Sequence, residues 1–540
     1  MIHNVKRCLQ PFTDLGREMR LEYLPPLMVY LASGISGLTA IVGTFFVKDY
    51  LGLSAEFLAS LGFWAMLPWT LKLPLGHLVD IIWRHKFLLV YLGAALIATS
   101  LLIMLGLLTD RAAMTAIAPT ETWYVISTLL APVGYVVQDV VADAMTVEAV
   151  PRVDAIGYPL AESARRHMNA TMQTLGRIAI IGGTLLVAGV NVVLFQGAET
   201  LAEPEKLAVY RRIYALALVI PLVSVMGVAF AAHLRRQMER SLATRGYSRA
   251  DILAMTAHQE EPPRPNVWIL GGGLAFGLVS VSVGMQQLAF GQELIFAISM
   301  LIILVLMWQI LREMDAEARQ VLLGTAILIF VFRAVPGPGP GSTWWMIDEL
   351  GFDPSFMARL SLISSGASLL GLFLFRRFMA EQSMITLIVT LTLAGTALSL
   401  PTIGLFYGLH HWTASLTGGI VDARFIALVD TALESPLGQI AMVPMLAWIA
   451  QSAPAHLKAT FFAVMASFTN LSLVLAQLAT KYLNQVYTVS REVRDAVSGS
   501  ISVAADYHQL GALLVTTTLI GLILPLMAVQ VTRWLRLRCV

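Results

Sequence analysis

Fourteen apolar stretches divide this chain, beginning near Leu24, Glu56, Phe87, Trp123, Met168, Arg212, Val267, Glu293, Gln320, Ser355, Met384, Phe425, Thr460 and Leu510. Each is about twenty residues long, the length a helix needs to cross the hydrocarbon core of a bilayer. In lipid the backbone has no water to bond, so such stretches fold as helices whose polar groups are satisfied internally. The second and ninth stretches are interrupted, by Pro68 and Pro74 and by the proline–glycine run 336–341. Only 13% of residues are charged, too few to cover a soluble surface of this size. An all-helical, multi-pass integral membrane protein follows.

Basic residues test the count. With the N-terminus inside, inner segments carry Lys6, Arg7, Arg17, Arg20, Arg84, Lys86, Arg235, Arg236, Arg240, Arg376, Arg377 and Arg533, among others. Outer segments carry fewer, such as Lys48, Arg111, Lys206 and Arg491. This positive-inside asymmetry predicts that both termini are cytoplasmic, in a cell (inner) membrane. The net charge of +2 points to no nucleic acid and no acidic partner. Cys8 and Cys539 stand at opposite ends, offering neither a disulfide framework nor metal-ligand spacing, and the polar N-terminal segment lacks the apolar core of a cleavable signal.

An internal repeat organises the chain. Residues 46–62 read FVKDYLGLSAEFLASLG and residues 345–361 read WMIDELGFDPSFMARLS, with Asp, Leu, Gly, Phe, Ala and Leu coinciding without a gap. A second echo sets residues 167–171 against residues 456–460. The expected architecture is two six-helix halves with two extra central helices. The boundaries are an N-terminal segment 1–22, a first half 23–234, a cytoplasmic linker 235–265, the extra pair 266–311, a second half 312–533 and a tail 534–540.

Ionisable residues inside such stretches are costly and mark function or pairing. Asp139 and Asp143 lie one helical turn apart, on one face, in VVQDVVADAMTVE. Asp430 and Glu434 repeat that spacing in the corresponding stretch of the second half, at a depth that can differ. Asn169, Gln173 and Arg177 form a polar stripe; Arg333 precedes the proline–glycine run, and Lys72 stands between Pro68 and Pro74. Pairing alone would account for these groups. The functional alternative gives Arg177, Arg333 or Lys72 to a carboxylated solute, since guanidinium grips carboxylate with two hydrogen bonds. One aspartate would then take up a proton. Trp344 and Trp345 either stack on a planar ring or belong to an interfacial belt.

Gly76, Asp80, Arg84 and Lys86 close the second stretch. The glycine allows close helix approach, and the aspartate and bases can exchange partners as a gate requires. This segment resembles the signature between spans two and three of the major facilitator superfamily. Residues 51–80 and 138–150, then 349–365 and 428–446, are similar to the folate-biopterin transporter family within it. The resemblance covers both halves but not the extra pair. It implies a secondary carrier of folates or pterins, coupled to protons, working without a cofactor. A muropeptide permease shares the two added spans and a Gln-Asp…Asp run, and a non-transporting receptor or assembly subunit on the same fold is the alternative of another class. No enzyme is expected: Gly271–Gly273 lacks a phosphate-loop context, and His77, His85, His410 and His411 lack zinc spacing.

Overall fold

The structure, a computed structural model, describes residues 19–51, 53–150, 160–198, 201–256, 265, 267–286, 290–312, 314–375, 378, 382–452, 458–494, 501–535 and 537. The path Leu21–Tyr50 holds α1 (Leu24–Gly34), a 3-10 stretch and α2 (Ala40–Tyr50). Next come α3 (Ala55–Met66) and α4 (Lys72–Ile81), joined by the 3-10 turn Leu67–Leu71. Then follow α5 (Phe87–Thr109), α6 (Thr120–Ala149), α7 (Glu162–Leu194), α8 (Glu203–Ala217) and α9 (Val219–Thr244). The extra pair is α10 (Val267–Gln286) and α11 (Gly291–Arg312). The second half holds α12 (Ala316–Arg333), α13 (Pro340–Asp348), α14 (Pro354–Leu374), α15 (Met384–Phe406), α16 (Ala423–Ser452), α17 (Lys458–Val486) and α18 (Leu510–Trp534). A two-stranded ribbon, β1 (Val493–Arg494) and β2 (Ile501–Val503), precedes α18.

Among the described residues, nine helical spans are long and apolar enough to cross a membrane. Helices also occupy the other expected runs but are not among these nine spans, so the full fourteen stands on the sequence alone. Helix α9 runs on to Thr244, held by buried Leu242, before the short helix Arg249–Thr256.

The two copies of the repeat fold alike. Ser54 caps α3 by accepting from the Phe57 amide at 3.0 Å, and Asp353 caps α14 by accepting from Phe356 at 2.9 Å. The copies meet: Lys48 of the first bridges its neighbour Asp49 at 3.6 Å and Asp348 of the second at 2.5 Å. Gln485 of α17 donates to Glu56 of α3 at 2.6 Å, tying the halves at this same end of the bundle, hereafter the Lys48 end. In the echo at residues 167–171 and 456–460, residues 456 and 457 and most of the remaining side chains lie outside the described residues.

Both helix breaks lean on α17. Asn470 donates to the Trp69 carbonyl at 3.1 Å, inside the first break. In the second, the Gly337 amide donates to the Thr480 hydroxyl at 3.1 Å, and Asn484 donates to the Pro338 carbonyl at 3.3 Å. Gly339 adopts φ +78°, and a Cβ there would stand 2.7 Å from Asn484 Nδ2, so no other residue fits. Irregular backbone at this depth is thus satisfied by protein, as lipid burial demands.

Helix α6 carries the paired aspartates, and its other face is fixed against α5. Ser100 and Ser127 hydroxyls meet at 2.9 Å, and buried Gln138 donates to the Val90 carbonyl and to Ser224. At the crossing, a Cβ on Gly134 would lie 2.7 Å from the Gly93 carbonyl oxygen, which is backbone and cannot yield cheaply. Gly134→Val should therefore cost about 1–3 kcal/mol by overpacking. It would appear as a lower melting temperature and less monodisperse protein in gel filtration.

The extra pair packs on the seam between α3–α4 and α17, sharing a core in which Ile295 and Ile303 join Phe63, Leu67, Val464 and Leu471. Adjacent residues at the start of α11 reach opposite ways. Gln292 donates to the Ser60 carbonyl and hydroxyl at 3.1 and 2.7 Å, while Glu293 accepts from Tyr482 and, at 3.3 Å, from Lys481.

Candidate functional site

The proline break before α4 places Lys72 at the first position of the new helix, facing α6. Its ammonium pairs directly with Asp139 and stands 3.6 Å from Asp143. Tyr30 of α1 donates to Asp143 at 2.6 Å. The one-turn spacing on α6 is what allows a single ammonium to touch both acids. The acids are unequal: the Asp139 side chain is 14% exposed and the Asp143 side chain 51%. One ammonium neutralises one carboxylate, so the second carries a net negative charge into open space unless it binds a proton. Arg177 of α7 lies within electrostatic reach of Asp143 and Tyr30, and Arg333 of α12 within reach of Arg177. These six residues draw on both halves of the molecule.

Towards the Lys48 end, one turn from Asp139, Tyr135 begins the wall of a cavity of about 520 Å³. That is the size of a site for a drug-sized molecule. Its lining includes the hydroxyls of Ser36, Thr39, Ser100, Tyr124, Ser127, Thr128 and Tyr214, the ring of Trp344 and, among the described residues, no carboxylate or basic side chain.

The expected site residues distribute as follows. Lys72, one of the three cations offered above to a solute, pairs with Asp139 and stands 3.6 Å from Asp143. Trp344 lines the cavity, whereas Trp345 packs on Phe406 at 5.4 Å; both belong to one apolar cluster. Asn169 and Gln173 lie on α7, with side chains outside the described residues. Asp430 accepts from Thr402 at 3.2 Å, and Glu434 is exposed. Counting about 1.5 Å per residue, Asp430 sits near 10 Å from the start of α16 and Asp139 near 28 Å from the start of α6. The two acidic pairs are therefore not symmetry mates in depth.

In the expected gate, Gly76 faces open space, since a Cβ there would meet nothing within 4 Å; it does not serve close helix approach in this conformation. Arg84 is exposed. Lys86 is buried, donating to Glu148 at the end of α6 at 2.5 Å and lying 4.0 Å from the Trp83 ring centroid. Burial holds the Lys86 ammonium below the ordinary lysine range, against the pull of Glu148. Sequence reasoning missed Tyr30, Glu148 and the Lys48–Asp348 bridge. Glu148 closes the same VVQDVVADAMTVE segment and could have been flagged; Tyr30 carries no local signal.

A sequence model described as the BT1 family matches residues 33–534. A folate-biopterin transporter of Synechocystis sp. is 25% identical over 476 residues, 87% of this chain and 76% of that protein. A folate transporter 2 of Plasmodium falciparum is 26% identical over 151 residues, 28% of this chain and 32% of that one. Among solved structures, a POT family transporter in complex with 5-aminolevulinic acid superposes with a TM-score of 0.59 at 13% identity, covering 95% of this chain and 96% of its own. A mutant of the peptide transporter POT in complex with sulfate gives a TM-score of 0.57 at 14% identity, covering 95% of each. At such identities these two likenesses concern the fold.

Proposed function

This chain belongs to the BT1 family and is a multi-pass membrane transporter, and from that premise we propose a proton-coupled secondary carrier of folates, pterins or a similar carboxylated solute. The observation that carries this reading is the charge imbalance at Asp143. Two carboxylates share one ammonium, and the less buried one faces open space beside a hydroxyl and within electrostatic reach of Arg177. A proton on Asp143 leaves Lys72–Asp139 as a neutral pair and releases Arg177 from the acid's attraction. Arg177 and Arg333, one from each half, then present two cations to a solute carboxylate. Binding that draws the halves together over such a site suits alternating access.

Positive-inside placement puts the Lys86 end and both termini in the cytoplasm of a cell (inner) membrane, and the Lys48 end outside. The Lys48–Asp348 and Gln485–Glu56 contacts then describe a carrier closed on its outer face. The cargo reading rests on the curated relatives named for folate and biopterin.

Uptake of radiolabelled folic acid and biopterin into proteoliposomes under an imposed pH gradient tests the function. Gradient-dependent accumulation supports it; flux indifferent to the gradient removes the proton, and transport of sugar peptides but neither pteridine removes the cargo. Arg177→Ala should weaken folic acid binding about tenfold, the scale of one charge-assisted contact, with much less effect on biopterin, which lacks a carboxylate. Equal losses for both in isothermal titration would mark Arg177 as structural.

A further inference from the structure

Arg491 follows α17 at the Lys48 end and has no part in the mechanism above. It is 2% exposed, yet Nε, Nη1 and Nη2 all lack a hydrogen-bond acceptor among the described residues. Its guanidinium carbon stands 4.7 Å from the Trp344 ring centroid, so one face is covered by an aromatic ring while the N–H edge remains unused. The acids nearby are engaged elsewhere. Lys48 holds Asp348 at 2.5 Å and Asp49 at 3.6 Å, and Tyr507 donates to Asp348 at 2.5 Å. Burial pulls the Arg491 guanidinium down to about 10, even though Asp49, Tyr507 and Asp348 act the other way. It remains a cation at neutral pH.

A buried guanidinium with its hydrogen bonds unmade gains more from an oxyanion than any solvated cation does. Trp344 lies on the cavity wall, as does Tyr124, whose phenol is within electrostatic reach of Arg491. Among the described residues the cavity supplies hydroxyls and apolar faces for a ring system but no cation of its own. We propose that Arg491, with Trp344 and this cavity, forms an outer subsite that takes the carboxylate of an aromatic solute before or after it occupies the central Arg177–Arg333 site. The subsite adds a location and a residue to the carrier reading and rests on that reading for its cargo.

The test compares wild type, Arg491→Lys and Arg491→Met, the last keeping a packed side chain against Trp344 without charge. Gel filtration first establishes that each variant is monodisperse. In oriented proteoliposomes, Arg491→Met should raise the half-saturating folic acid concentration for influx from the Lys48 side about tenfold. Biopterin influx should be unchanged, as should half-saturation from the opposite side, and Arg491→Lys should be intermediate. Equal shifts for both probes, or none, overturn the subsite. If wild type moves neither probe, the cargo reading fails by itself, and the subsite is then read on purified protein with sodium glutarate. Glutarate should raise the melting temperature of wild type and not of Arg491→Met; identical behaviour of the two overturns the proposal.

Discussion

Asp143→Asn abolishes proton-driven accumulation of cargo while exchange of internal for external cargo continues. Asparagine keeps the size of the side chain and an acceptor for Tyr30, 2.6 Å away, but it neither ionises nor binds a proton at working pH. The cluster is then fixed in its neutralised state, with Lys72 answering Asp139 alone. Counterflow needs only alternation of the loaded carrier; accumulation against a gradient needs the proton. Asp139→Asn behaves differently. It leaves a largely buried ammonium with its remaining acid 3.6 Å off, and breaking such a pair costs about 3–5 kcal/mol. That variant should lose folded yield as well as uptake. Parallel assays of pH-driven uptake and counterflow separate the two, and full accumulation by Asp143→Asn would retire Asp143 as the coupling group.

Joining positions 48 and 348 covalently stops transport, and reduction restores it. In wild type the two side chains meet at 2.5 Å with only 15% and 24% of their surfaces exposed, across the line between the repeat copies. Lys48→Cys with Asp348→Cys, in a background carrying Cys8→Ser and Cys539→Ser, can be bridged by a short cleavable bis-thiosulfonate. A carrier that must part its halves at this end cannot complete a cycle while bridged, so uptake should fall to the level of empty liposomes. Undiminished flux in fully cross-linked protein would mean that the Lys48 end never opens. Lys48→Ala alone is milder, since Asp348 keeps the bond it accepts from Tyr507 and nothing joins the two copies covalently.

The spans, the repeat and the acidic face of α6 were legible because each depends on residues close in sequence. Hydrophobic length declares a membrane helix, and the i, i+4 rule puts Asp139 and Asp143 on one face without any knowledge of neighbours. The ion pairs were not legible. Lys72 meets acids on a different helix, and nothing local distinguishes a lysine that meets aspartate from one that meets solute. Trp344 and Trp345 show the limit at its smallest scale. Neighbours on a helix point about 100° apart, so one faces the cavity and the other packs on Phe406. Nothing in two identical neighbouring residues sets the rotation of that helix. The N-caps Ser54 and Asp353 were hidden in plain view, because the repeat aligns them although the residue type differs.

Gln292 and Glu293 occupy successive positions, yet one grips Ser60 in the first half and the other Lys481 and Tyr482 in the second. Two halves that tilt apart at this end cannot both retain their hold on a hairpin joined by a single peptide bond at the point of attachment. Each turnover would have to release one grip and remake it, leaving α10–α11 a passenger on the other half meanwhile. In a carrier that alternates in this way, helices outside the transport path would thus brake the stroke through the Gln292 amide and the Glu293 carboxylate.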